Sequence, residues 1–218
     1  MATDRSEVLP ILNRFHVRLT ALYAVAVFGV LGPMGLIFYH LGVDQEIEAL
    51  QQRILTTTAS IASGLDIDAL RSIATPADKT TAAYRSLERR LEAVSRADPE
   101  MRNIYIMLQG NAPGDFIFVI DHDRDRPEDS AAIGDHYDGS ALAKMMLGLE
   151  RPSVEDRVTV DAWGPSLAGW SPIFDAAGRS VGLVGIDVLG RRVEAAQRNI
   201  LMVCAGVSVL ALLLLSLA

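Results

Sequence analysis

Alternating carboxylates at Asp121, Asp123 and Asp125, with His122 between the first two, are the densest group of potential cation ligands in this sequence. Oxygens at every second position suit calcium, but a calcium-binding EF-hand loop needs Gly at its sixth position and Glu at its twelfth. Those positions hold Arg126 and Ala132, and Arg124 and Arg126 neutralise the cluster. It reads as a solvated charged loop, and Asp135, His136 and Asp138 read the same way. Cys204 is the only cysteine, which excludes disulfides and thiolate metal sites. A phosphate-cradling glycine loop, a His-Glu-x-x-His helix and a nucleophile elbow are all lacking. Ser166 and Ser171 read as ordinary turn or strand serines. No catalytic residue, metal or cofactor is assigned.

Two apolar stretches must position whatever chemistry there is. Residues 19–43 and residues 199–218 contain no Asp, Glu, Lys or Arg. Each is long enough to cross about 30 Å of hydrocarbon as a helix, so both are expected to span a bilayer. The first run is too long for a signal-peptide core of about 7–15 residues and lacks a small-x-small cleavage site. His16 and His40 fall near its ends. Gly29, Gly32, Pro33 and Gly35 would loosen the helix or mark a packing face. Arg5, Arg14 and Arg18 precede the run, whereas Asp44, Glu46 and Glu48 follow it. That asymmetry puts residues 1–18 in the cytoplasm and the central segment outside. Arg191, Arg192 and Arg198 oppose this orientation, but charges flanking a long loop count for less.

The segment from 44 to 198 is about one domain in size. Its 17 basic residues face 25 acidic ones, a net charge of −8, and no basic stripe invites nucleic acid. Apolar residues at threes and fours predict helices over 45–64 and 80–96, with a short helix at 65–70 started by Asp66 or Asp68. The pattern then changes to alternation. Strands are predicted at 103–108, 116–121, 153–160, 167–174 and 180–188, with a short helix over 140–149 and turns at 110–115 and 175–178. Helices first and then about five strands joined by short turns make an α+β domain with an antiparallel sheet.

The segment Ser171-Pro-Ile-Phe-Asp-Ala-Ala-Gly-Arg-Ser-Val-Gly-Leu-Val-Gly-Ile-Asp-Val188 resembles the closing hairpin of extracytoplasmic Cache (PDC, PAS-like) sensor domains. Asp161-Ala-Trp-Gly-Pro-Ser-Leu-Ala-Gly-Trp170 resembles the segment preceding it in a single-Cache group, and Arg102-x-x-Tyr105 fits the start of the first strand. The resemblance implies a PAS-like five-stranded sheet behind a long N-terminal helix, between two transmembrane helices. The organisation expected is a cytoplasmic N-terminus (1–18), a first transmembrane helix (19–43), a sensor domain (44–188), a helical linker (189–198) and a second transmembrane helix (199–218). It also implies a periplasmic pocket on the membrane-distal face of the sheet and a parallel dimer in a bacterial inner membrane. A cytoplasmic kinase, cyclase, diguanylate cyclase, phosphatase or chemoreceptor output would belong to a longer receptor.

Six residues are candidates for that pocket: Arg102, Tyr105, Asp161, Trp163, Trp170 and Asp187. An Arg can grip a carboxylate with two parallel hydrogen bonds. Asp161 or Asp187 can hold an ammonium, and a Trp face can stack on a cation. The expected ligand is therefore an amino acid, an amine or a small organic acid. The bland alternatives are that Trp163 and Trp170 are core and that Asp187 ends its strand. A different reading of the whole chain is a membrane-anchored scaffold whose outer domain docks a protein through an exposed apolar patch.

Overall fold

The computed structural model describes residues 15–161, 164–189, 198, 202, 203, 205, 206 and 209. Two compact units emerge: residues 1–44 with 194–218, and residues 45–193. Helix α1, Phe15–Ser63, contributes to both. In the first unit Leu22, Val25, Val30, Leu36, Ile37, Phe38 and Leu41 are each more than half exposed. At 100° per residue these positions cover most of the helix circumference. Among the described residues no helix is long and apolar enough to cross a membrane, and the side chains at 20, 21, 24 and 27 lie outside that description.

In the second unit α1 turns one side inward, burying Leu50, Ile54, Thr58 and Ile61 at spacings of three and four. Helix α2, Ile67–Arg71, starts at Asp66, whose carboxylate accepts from the Asp68 and Ala69 amides at 3.0 and 3.1 Å. That is the side-chain cap that free helix amides require. Helix α3, Ala82–Ala97, is capped by Thr81 Oγ1, which accepts from the Tyr84 amide at 3.2 Å. Its inner side carries Tyr84, Leu87, Leu91 and Ser95.

The strands are β1 (Met101–Gln109), β2 (Asp115–Asp123), β3 (His136–Asp138), β4 (Ser153–Val154), β5 (Thr159–Asp161), β6 (Gly164–Phe174) and β7 (Ser180–Leu189), with helix α4 (Ala143–Leu147) between β3 and β4. They form one antiparallel sheet in the order β3-β2-β1-β7-β6-β4, with β5 also paired to β6. The α+β class and the long N-terminal helix are as expected. The strand count is higher because the predicted 153–160 strand divides into β4 and β5 and the short β3 is added at the edge.

Residues directly opposite one another in a ladder share a sheet face. One face carries Ile104, Ile106, Val184, Ile186, Leu167 and Ile173. Helix α1 lies against it: Thr58 Oγ1 meets Ser171 Oγ at 2.7 Å, and a Cβ at Gly169 would collide with Ile54. The other face carries Tyr105, Met107, Trp170 and Leu183, which cluster with Phe116 and with Met145 of α4. That second face bears the polar residues described next.

Candidate ligand-binding face of the sheet

Tyr105 sits near the middle of β1 with β7 on one side and β2 on the other. Opposite it on β7 is Gly185, where any Cβ would fall within the Tyr105 ring, so the glycine makes the room that the ring occupies. The phenol oxygen accepts a hydrogen bond from Trp170 Nε1 at 2.9 Å, in a buried pair that bridges β7. Phe118 meets Tyr105 edge-on with centroids 6.0 Å apart, and Tyr137 meets Phe118 the same way at 6.2 Å. Three rings therefore run in a row from the sheet centre to the exposed Tyr137 on β3.

One ladder step along, the face becomes acidic. Asp187 on β7 lies opposite Asn103 on β1 and Ala168 on β6. Asp121 and Asp123 on β2 lie opposite Tyr105 and Asn103. Asp123 is only 6 % exposed, so the expectation of a solvated charged loop is corrected here. Strand β2 continues through Asp123, whose Oδ1 accepts from the Asp125 and Arg126 amides at 2.9 Å, and whose Oδ2 lies 3.4 Å from Arg102 Nη2. Asp121 Oδ2 accepts from the Ala131 amide at 2.6 Å, while Oδ1 is buried beside the Asn103 side chain.

Asp187 differs from its neighbours: among the described residues no hydrogen bond reaches its carboxylate. Burial pushes it up to about 7, the negative charge of Asp121 adds to the rise, and the Arg102 guanidinium opposes it. Burial also raises Asp121, against the Ala131 amide and the Asn103 side chain that hold it down. Glu155 is raised mainly by burial, and the Tyr105 phenol is raised well above its ordinary value by burial and then by the Asp187 charge. The Asp187 carboxylate has one favourable charge, Arg102, against three carboxylates, and no hydrogen-bond donor among the described residues. Buried charge so placed is costly, and a cation carrying N–H groups would relieve it. The aromatic row adds ring faces that attract the same kind of ligand.

Four of the six predicted site residues meet here: Arg102, Tyr105, Trp170 and Asp187. Trp170 is also core, at 3 % exposure. Asp161 pairs with Gly164 through the backbone of β5; its side chain, and Trp163 altogether, lie outside the described residues. Sequence reasoning missed Asp121, Glu155, Phe118 and Tyr137. The alternation Phe116, Phe118, then Asp121 and Asp123 carried a usable signal, because a strand extended by two residues puts the last pair on one face.

No family model and no curated protein matches this chain. Solved structures do. The sensor domain of the Vibrio cholerae histidine kinase DctB aligns with a TM-score of 0.53 at 14 % identity, over 75 % of this chain and 60 % of that one. The ligand-binding domain of the Campylobacter jejuni chemoreceptor Tlp3, in complex with L-valine, aligns at 0.48 and 11 % identity over 82 % and 66 %. The E. coli DcuS sensor domain aligns at 0.43 and 17 % identity over 70 % and 97 %. The chain thus spans less than two thirds of the DctB and Tlp3 structures. At 14 % identity the likeness to the DctB sensor domain is one of fold alone, and that fold agrees with the helix-then-antiparallel-sheet arrangement expected from the sequence.

Proposed function

We propose that this chain is the membrane-anchored sensory module of a bacterial receptor, whose domain over 44–188 binds a small ammonium-bearing ligand, an amine or an amino acid, outside the cytoplasm. The observation that carries this reading is the Asp187 carboxylate, which lacks a hydrogen-bond donor among the described residues and stands between the Tyr105–Trp170 pair and three further carboxylates. The Arg102 guanidinium, the natural grip for an organic acid, is already engaged with Asp123. Of the ligand classes the sequence left open, organic acids are therefore the least suited.

Anchoring is inferred from the uncharged runs at 19–43 and 199–218 and from the exposed apolar side chains around the first part of α1. The ligand's effect would travel along β7, which holds Asp187, into residues 190–198 and the second span. Sensing requires that the ligand bind two arrangements of the sheet unequally, and helix shifts of about 1–2 Å are enough to switch a receptor. A parallel dimer of the chain and an output domain in a longer protein complete the proposal.

The test is a thermal-shift series on the full chain in detergent, with amines, amino acids, organic acids and divalent cations. Ligand at about 100 times its dissociation constant adds about 2.7 kcal/mol, an easily measured shift. Stabilisation by amines or amino acids that disappears in Asp187→Asn is expected. Stabilisation by organic acids alone, or amine binding indifferent to Asp187→Asn, would refute the assignment.

A further inference from the structure

The chain enters the 45–193 domain along α1 and leaves it from the end of β7. Side chains and backbone join these two segments through residues 98–100, which connect α3 to β1. The Leu189 amide, on the last residue of β7, donates to the Glu100 carbonyl at 3.0 Å. That bond extends the β1–β7 ladder one step past the Met101–Val188 pair. Glu100 is in turn held from α1. Arg53 stands three residues after Leu50 and next to Ile54, both buried, so it leaves α1 at the rim of the packed side. Its Nη2 donates to Glu100 Oε2 at 2.7 Å. Its Nε lies 3.1 Å from Asp98 Oδ2, close enough for an ion pair though not aligned as a hydrogen bond.

The turn itself is braced. Asp98 Oδ1 accepts from the Glu100 amide at 3.0 Å, and the Asp98 amide donates to the Val94 carbonyl of α3 at 3.2 Å. Arg124, just after β2, donates to the Pro99 carbonyl from the sheet side. One guanidinium on α1 thus gathers the two carboxylates that flank Pro99, and the backbone of one of them holds the end of β7. The Arg53 side chain is 28 % exposed and each acid 17 %. Ion pairs within reach of water contribute modestly, so this group can open without unfolding the domain while still biasing the opening. The contacts of Ile54 with Gly169 and of Thr58 with Ser171 differ, because they lie in the core and act on β6.

We infer that Arg53, Asp98 and Glu100 form a clasp that sets how readily the Leu189 end of β7 opens, and so ties α1 to the segment that follows residue 189. With the clasp shut, Leu189 stays in the sheet, and α1 and the end of β7 move together. With it broken, the last rung frays while the rest of the ladder stays paired. The clasp is therefore a two-state element of the kind that coupling between distant segments requires. Its use as a relay between two spans rests on the anchored-sensor reading; its control of the Leu189 rung does not.

Amide hydrogen exchange of the full chain in detergent, without ligand and resolved by residue with NMR, tests this. Arg53→Met keeps an unbranched stem and removes the charge, whereas Glu100→Gln removes the partner charge and keeps the carbonyl. Each variant should exchange the Leu189 amide about fivefold faster than the parent. The Phe118 amide, bonded to the Asp135 carbonyl at the opposite edge of the sheet, opens without breaking the clasp and should keep its rate. The double variant should add little to either single one, since all three remove the same pair. Leu189 exchange unmoved in both variants, or raised by the same factor at Phe118, overturns the clasp. No ligand enters this measurement, so the Asp187 reading can fail in its own thermal-shift series while the clasp stands, and the reverse.

Discussion

Asp187 has an acidity that makes its role measurable by pH. Its folded value of about 7 lies above the ordinary 3.8, so the folded state holds a proton over an interval in which the unfolded state has lost it. Stability is then greatest below the unfolded value, declines from about pH 4 to pH 7, and stays flat above. Asp187→Asn makes the decline shallower, leaving the smaller part contributed by Asp121 and Glu155, which burial also raises. The variant should match the parent near pH 4 and exceed it at pH 8 by something on the order of 1–3 kcal/mol, read from urea denaturation. Equal pH profiles for the two proteins would show that the carboxylate is well hydrated or paired. Affinity for a cationic ligand should rise across the same interval, because only the ionised carboxylate attracts it. Trp170→Phe and Tyr105→Phe each break the 2.9 Å indole–phenol bond and should each cost about 1 kcal/mol or slightly more. The double variant should cost less than the sum, which a double-mutant cycle reads directly. At this scale the family resemblance singled out Tyr105, Trp170 and Asp187 as candidates, and the structure brings them together on one face of the sheet. Asp121 stayed hidden because an aspartate beside His122 and Arg124 looks solvated until the strand register puts it on the inner face.

The elements hold that register in place. Helix α1 can approach β6 only because Gly169 has no side chain and because Ser171 meets the Thr58 hydroxyl. Ile54 fills the contact and is fully buried. Ile54→Ala should cost about 2–5 kcal/mol, as large-to-small core changes do, in chemical denaturation of the full chain. Gly185→Ala tests the opposite face. Its methyl would enter the Tyr105 ring, so the ring must move, and the variant should lose both stability and amine affinity where a surface Gly→Ala would not. Retained affinity would show that Tyr105 does not shape the site. The helices were legible because their apolar residues recur at threes and fours and Asp66 is a recognisable cap, whereas Thr81, which caps α3, lay inside the helix expected over 80–96. The long strands β1, β6 and β7 were legible as apolar, β-branched runs. Strands β4 and β5 read as one strand over 153–160 and β3 was missed, since two or three residues paired at a sheet edge are set by the neighbour's ladder and carry no period of their own.

For the whole molecule the decisive question is which side of a bilayer each unit occupies, since a sensor of external amines must hold Asp187 outside. The charge asymmetry around residues 19–43 predicts this, with Arg5, Arg14 and Arg18 inside and Asp44, Glu46 and Glu48 outside. The opposing triplet Arg191, Arg192 and Arg198 would then face outward, and it loses because a long preceding loop is translocated largely regardless of charge. Cys204, the one native thiol, can be changed to alanine so that single cysteines report position without interference. In that background Ser130→Cys, in the segment flanking β2, should react with a membrane-impermeant maleimide on intact spheroplasts. Ser6→Cys should react only after lysis. The reverse pattern would put the ligand face in the cytoplasm and remove the external sensor from consideration. Leu31→Arg with Leu36→Arg should further impair insertion, since each arginine at the centre of a span costs about 2.5–3.5 kcal/mol on insertion scales. Both leucines lie on the exposed part of α1, so, in a chain with residues 199–218 removed, the pair should leave the 45–193 fold intact while shifting the chain out of the membrane fraction. A chain that sediments with membranes as before would instead place its anchor outside residues 19–43.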